Sequence, residues 1–276
     1  MKTVVITGGT RGLGQELTKA FRKRGFNVVL SGTSADGAAK AAETLSALPG
    51  EGGILGAACD SSSLEQVQAL AAAALERFGT IDIWINNAGI NQSYQYLWEL
   101  EDAEIDRLLA VDLKGAVNGS LTALRIMKEQ GYGAIFNMEG MGSNDAFQPR
   151  FSMYGTAKRA VTYFTDALAK EIEEQGLPVM AGKLSPGIMI TDFLTSAGSR
   201  RGASTLDEKT KKVYNILGDY PDVIAEHLTA KMLSSPKNGC RIEWLTRGKA
   251  ARRFMTAAFN KRDFFAQSGS GPDKVI

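Results

Sequence analysis

The chain has 276 residues, 44% of them apolar and 22% charged, with a net charge of +2. Such a chain builds one large α/β domain or two small ones around a full core, and its charge gives no argument for nucleic acid or a membrane surface. A single histidine, His227, and two distant cysteines, Cys59 and Cys240, exclude a multi-histidine metal site and make a Ser-His-Asp triad a poor fit.

No uninterrupted apolar run approaches the ~20 residues that cross a bilayer. The first apolar strand begins at Thr3 with no basic leader before it, so a cytoplasmic protein is expected. Cys59 closes an apolar run and reads as a buried small hydrophobe.

Thr3 to Thr7 (TVVIT) is a β-branched run and reads as a buried strand. Gly8-Gly9-Thr10-Arg11-Gly12-Leu13-Gly14 follows, then a helical stretch that stops at Gly25. Strand, glycine turn and helix together bring backbone N–H groups and a helix N-terminus up to a pyrophosphate. The second strand is Asn27 to Leu30, followed by Ser31-Gly32-Thr33-Ser34 with no acid before Asp36. An acid there commonly holds the ribose 2′-hydroxyl of NAD. Its absence, with Arg11 in the glycine turn to meet a 2′-phosphate, favours NADP over NAD. A solvated loop charge is the alternative for Arg11.

Helices over 38–48 and 65–77 alternate with strands over 53–58 and 82–86; Cys59-Asp60 and Asn87-Ala88-Gly89 follow those strands. A helix spans 102–127 with an interruption near Gly115. The fifth strand is Ala134 to Met138, and a sixth covers Val179 to Leu184, before Ser185-Pro186-Gly187. This alternation demands a parallel sheet covered on both faces, with the ligand at the carboxyl ends of the strands.

Between the fifth and sixth strands a glycine-rich loop leads into a helix carrying Tyr154 and Lys158. Four apart, they share a helical face. An ammonium beside a phenol stabilises the phenolate and lowers the phenol's pKa, making Tyr154 a candidate proton donor.

TGGTRGLG at 7–14, Asp60, NNAG at 86–89, Tyr154-x-x-x-Lys158, and Pro186-Gly187 with Thr191 occur in order. Together they resemble the short-chain dehydrogenase/reductase family over residues 3 to 192. The resemblance implies a single Rossmann-type doubly wound α/β domain, with a seven-stranded parallel sheet and helices on both faces. It implies Tyr154 as proton donor to a carbonyl, and Lys158 as the group that holds the nicotinamide ribose and lowers the tyrosine's pKa. Gly8, Thr10, Arg11, Gly12, Leu13 and Gly14 would cradle the cofactor, with Thr33 and Ser34 at its ribose end. Asp60 would sit by the adenine, Asn87 with Gly89 by the adenosine and ribose, and Ile188 and Thr191 by the carboxamide, with Ala88, Pro186 and Gly187 also counted among the cofactor-binding residues. A homodimer or homotetramer is also implied.

Two positions depart from the family pattern. Asp112 stands where an Asn helps relay protons, and Gly140 stands where a catalytic serine follows the fifth strand. Ser143 is the nearest substitute hydroxyl, either a donor to the substrate oxygen or a plain loop residue. Glu139 either faces the site or is solvated.

The loop Phe136 to Ser143, with the runs 81–89, 185–194 and 214–221, is similar to the chlorophyll b reductases of the non-yellow-colouring type. That likeness implies NADPH-dependent reduction of the C7 formyl group of chlorophyll(ide) b. Other aldehydes, ketones or alcohols are the alternative substrates, and a nucleotide-binding regulator without turnover is the alternative class.

Residues 1–265 are expected to form one catalytic domain, with 193–221 as a substrate lid and 266–276 as a flexible tail. Arg200, Arg201, Lys209, Lys211 and Lys212 in the lid are either tetrapyrrole-carboxylate partners or solvated charges. His227 reads as a surface or satisfied residue on a helix over 222–233. Arg241 to Leu245 is the seventh strand. The basic, aromatic segment 247–265 is either an interfacial helix making peripheral membrane contact or an amphipathic segment packed on its own domain or a sister subunit.

Overall fold

The computed structural model describes residues 1–190, 208–260 and 262–265. Seven strands, β1 (Thr3–Ile6), β2 (Asn27–Gly32), β3 (Ile54–Ala58), β4 (Ile83–Asn86), β5 (Ala134–Met138), β6 (Met180–Ser185) and β7 (Arg241–Glu243), form one sheet in the order β3-β2-β1-β4-β5-β6-β7. Every pairing is parallel. The helices are α1 (Gly12–Arg22), α2 (Ala35–Ser46), α3 (Leu64–Phe78), α4 (Asp102–Leu109), α5 (Gly115–Gln130), α6 (Ser152–Glu174), α7 (Glu208–Leu217), α8 (Pro221–Met232) and α9 (Arg247–Thr256).

The two-residue period of the strands sorts the core onto two faces. Val4 and Ile6 of β1 join Leu17 and Phe21 of α1 and Ile224 and Leu228 of α8. Val5, between them, joins Trp84, Val67 and Leu70 of α3, and Met127 of α5. Strand order reverses at β1, between β2 and β4, so the crevice for a ligand opens at the carboxyl ends of these strands.

A buried polar network lies in the middle of the sheet beneath that crevice. Asn86 Nδ2 donates to Asn137 Oδ1 (2.8 Å), Ser120 Oγ (3.1 Å) and Ala116 O (3.2 Å). Trp84 Nε1 donates to Asn86 Oδ1 (2.8 Å), and Asn137 Nδ2 to Thr165 Oγ1 (2.9 Å). The network joins β4 and β5 to α5 and α6, and it depends on a bare backbone at Gly119, where a Cβ would lie 1.9 Å from Asn86 Oδ1.

Several expected features take a different form. The helix anticipated from residue 38 starts at Ala35, because the Ser34 hydroxyl accepts the Gly37 N–H (3.2 Å) and caps it. The interruption near Gly115 is a π-helical turn, Ala110–Lys114, joining α4 to α5. Glu139 neither faces the crevice nor is solvated: its buried carboxylate pairs with Arg241 Nε (2.6 Å) and accepts from Thr162 Oγ1 (2.9 Å). Cys59 is buried, and its thiol is pushed up to about 11 by burial and the Asp60 charge. His227 is satisfied by Glu243 O and packs edge-on against Trp244.

The 247–265 segment packs on its own chain. Asp219 gathers Arg253 (2.6 Å), Arg262 (2.9 Å) and Trp244 Nε1 (2.6 Å), while Phe254, Met255 and Phe259 stay exposed. Lys211 pairs with Glu208 at 2.9 Å. Thr191, Arg200, Arg201, residues 193–207 of the expected lid and the 266–276 tail lie outside the described residues. No helix among the described residues is long and apolar enough to cross a membrane.

Gly119→Ala is expected to remove about 2–4 kcal/mol of unfolding free energy by overpacking the network and breaking its hydrogen bonds. Urea denaturation followed by circular dichroism checks this.

Candidate active site

The glycine turn after β1 is pressed against the loop after β4. A Cβ on Gly8 would lie 2.9 Å from Ala88 Cα, and one on Gly14 would lie 2.2 Å from Gly8 O. Gly8 and Gly12 also hold φ of +64° and +55°, which favours residues without a side chain. Asn87 Nδ2 donates to Thr7 O and Gly8 O, both at 3.0 Å, and the Asn87 and Ala88 N–H groups meet Thr7 Oγ1 at 3.1 Å.

α1 carries no acidic residue in its first turn, and a Cβ on Gly12 would meet nothing within 4 Å. An anion therefore has both the helix N-terminus and room to approach it. The Leu13 side chain is buried in the core below. These residues fit a dinucleotide.

Thr10 abuts the end of β2, where a Cβ on Gly32 would lie 2.6 Å from Thr10 Cγ2. Neighbouring Arg11 is exposed, and its side chain has no partner among the described residues. Thr33 is exposed beside the capping Ser34. The Asp60 carboxylate accepts from Ser62 Oγ (2.7 Å) and Arg107 (2.9 Å). Burial works to raise its pKa, but these two partners outweigh it and hold the group below the usual carboxylate range. On the other side of the crevice, Gly187 has φ +72° and sits where a Cβ would be 2.7 Å from Leu245 Cβ. Ile188 O accepts the Asp219 N–H at 3.0 Å. Pro186 and Gly187 thus bend the chain back towards the 219–245 region.

Tyr154 and Lys158 lie on the first turns of α6, both buried. Lys158 Nζ is 5.6 Å from the centre of the Tyr154 ring and 2.9 Å from Asp112 Oδ2. Asp112 Oδ1 accepts the Ile90 N–H at 2.7 Å. The π-helical turn carries Asp112 into this position, and Gly89 admits the neighbouring loop, since a Cβ there would stand 3.1 Å from Asp112 Oδ2.

The charge balance corrects one expectation. Lys158 does draw the Tyr154 phenol down, but burial pushes it up more strongly and Asp112 adds to the rise, leaving it at about 12. Burial works to lower the Lys158 pKa, but Asp112 and Tyr154 outweigh it and hold the ammonium above its usual value. At neutral pH the site holds a neutral phenol beside a charged lysine, whose ammonium lies against the Asp112 carboxylate.

The loop after β5 shapes the space around the phenol. A Cβ on Gly140 would lie 2.4 Å from the Tyr154 hydroxyl, so the glycine at the family's serine position makes room for it. Ser143 is buried; its hydroxyl accepts the Gly140 N–H and donates to Lys158 O, both at 3.2 Å.

The sequence reading missed Gln92, which is buried. Its Oε1 accepts the Tyr154 N–H (2.8 Å) and its Nε2 donates to Arg150 O (2.8 Å). It does the work of an N-cap for α6, where Phe151 offers no side-chain oxygen. A cap supplied from 62 residues away leaves no local pattern to read.

Residues 2–202 match the family model described as short chain dehydrogenase, and the chain belongs to that family. It is an oxidoreductase of the NAD(P)-binding kind. Over 267 residues it is 36% identical to chlorophyll(ide) b reductase NOL, chloroplastic, of Oryza sativa subsp. japonica, covering 94% of this chain and 76% of that one. It is 30% identical to the probable chlorophyll(ide) b reductase NYC1, chloroplastic, of the same plant, covering 97% of this chain but just over half, 54%, of that relative's length. Among solved structures, the 3-ketoacyl-(acyl-carrier-protein) reductase of Brucella melitensis complexed with NADH superposes with a TM-score of 0.75 at 27% identity, covering 90% of this chain and 98% of that one.

If Asp112 sets the charge balance, Asp112→Asn lowers the pKa of both Tyr154 and Lys158. The alkaline limb of the pH profile for carbonyl reduction then moves to lower pH than in the wild type. Steady-state kcat/KM measured across pH 6 to about 11 checks the direction.

Proposed function

We propose that the protein reduces the C7 formyl group of chlorophyll(ide) b to a hydroxymethyl group with NADPH. The observation that carries this reading is the buried, neutral Tyr154 phenol beside a charged Lys158, at the mouth of a dinucleotide cradle. The 36% identity to a chlorophyll(ide) b reductase over 94% of the chain supports the substrate class.

Gly8 to Gly14 would hold the pyrophosphate, Asn87 to Gly89 the adenosine side, and Lys158 the nicotinamide ribose. NADPH held by these residues would supply the hydride for the formyl carbon. As the C=O π pair moves onto oxygen, the Tyr154 hydroxyl gives that oxygen its proton, completing the primary alcohol. A phenol with a high pKa suits this direction, because the proton is present at neutral pH to be given. Lys158 stabilises the phenolate left behind, and Asp112 holds Lys158 in place. Ser143 acts as the clamp between the Gly140 turn and α6, so the substrate oxygen takes its hydrogen bond from Tyr154. Arg11, exposed beside the end of β2 where no acid stands, meets the 2′-phosphate of NADPH.

One assay tests the whole reading: reduction of chlorophyllide b followed by loss of its absorption bands, with NADPH or NADH. The wild type turns over and prefers NADPH. Tyr154→Phe loses about 100-fold or more in kcat/KM with NADPH binding retained, and Arg11→Ala loses the preference for NADPH. Turnover on simple aldehydes with none on the pigment contradicts the substrate, and equal use of both cofactors contradicts the role of Arg11.

A further inference from the structure

Beside the catalytic tyrosine the chain builds an aromatic surface that none of the machinery above uses. Phe151 meets the Tyr154 ring at 6.3 Å, edge to face, and the Tyr94 ring at 5.6 Å. The Arg150 guanidinium lies 4.9 Å from the centre of the Tyr94 ring and 4.8 Å from that of Tyr96. The Tyr96 ring then stacks on Trp98 at 4.9 Å, the two planes 2° apart. Rings and guanidinium thus run without a gap from the buried phenol to Trp98, which is 80% exposed.

The surface is held by specific bonds. Arg150 has a φ of +68°, a left-handed conformation that costs a non-glycine residue energy. Buried Gln92 fixes it by donating to Arg150 O while accepting the Tyr154 N–H. The Glu99 carboxylate accepts the Tyr96 N–H (2.8 Å), fixing the short turn that carries Trp98. A strained backbone, clamped to the catalytic helix, therefore aims a cation across two tyrosines.

We infer that Tyr94, Tyr96, Trp98 and Arg150 form a platform for the flat, conjugated ring system of the substrate. The exposed Trp98 ring, backed by Tyr96, stacks on its face, Arg150 meets a carboxylate at its edge, and the carbonyl is delivered to Tyr154. Stacking is the interaction such a surface offers to any extended π system. The guanidinium adds cation–π and ionic recognition. Continuity with Tyr154 selects a substrate over a partner protein as the occupant. This placement rests on the reading of Tyr154 as the carbonyl's proton donor.

The test uses pyrene-1-carboxylate, a flat ring with a carboxylate and no reducible carbonyl, titrated calorimetrically into the full chain. The wild type binds it; Trp98→Ala weakens binding about tenfold or more, whereas Phe259→Ala, removing an exposed ring elsewhere, keeps wild-type affinity. Arg150→Met weakens pyrene-1-carboxylate more than pyrene-1-methanol. No binding by the wild type, or equal affinity in Trp98→Ala, overturns the platform. So does loss of self-association in Trp98→Ala with ligand affinity unchanged, which makes the surface a contact between copies. Binding that depends on Trp98 in a protein that reduces no carbonyl upholds the platform and defeats the reductase reading, so the two fail separately.

Discussion

The ion pair between Asp112 and Lys158 is the constraint on which the site depends. Both groups are buried, 2.9 Å apart. Leaving either one uncompensated in that environment costs about 3–5 kcal/mol, so the pair is held as a unit. Holding it requires three unusual features together: a π-helical turn to bring Asp112 inward, a bare backbone at Gly89 to let the loop close over it, and the Ile90 N–H to satisfy its second oxygen. The pair also acts on the Tyr154 phenol, alongside burial. With asparagine at 112, the lysine would act on the phenol alone. With aspartate, the carboxylate adds to the upward push of burial, and the two together outweigh the lysine's pull on the phenol.

Around that pair, the loops after β4 and β5 are fastened to α6 by buried side chains. Gln92 satisfies the N–H of Tyr154, and Ser143 bonds the carbonyl of Lys158. Thr162, one turn further along α6, reaches Glu139, which Arg241 holds from β7. Beneath them the Asn86–Asn137 network ties the same strands to α5 and α6. The start of α6 is thus tied to several strands and loops by buried side chains.

The fold was legible because its signals are local. Apolar β-branched runs separated by glycine turns and amphipathic stretches yield the strand and helix sequence, and parallel order follows from the alternation. The cofactor cradle was legible for the same reason, since close backbone approach demands glycine at Gly8 and Gly14. What could not be read depends on burial and distant partners. Spacing puts Lys158 beside Tyr154, but the sign of the phenol's shift comes from desolvation and from Asp112, far away in the chain. Glu139 reads from sequence as either facing the site or solvated, because its partner, Arg241, lies in another strand. The basic 247–265 segment reads either as an interfacial helix or as one packed on its own domain or a sister subunit; Asp219, distant in the chain, gathers two of its arginines, while Phe254, Met255 and Phe259 stay exposed. Gln92 left no pattern at all.

The central claim is that Tyr154 enters the reaction as a neutral acid. Carbon-13 NMR of tyrosine-labelled, cofactor-free protein measures this directly, with the Tyr154 resonance assigned by its loss in Tyr154→Phe. The account predicts that this resonance shows no ionisation up to about pH 10, where an ordinary tyrosine is half titrated. A titration near neutral pH would contradict it, because Lys158 would then outweigh burial and Asp112 together.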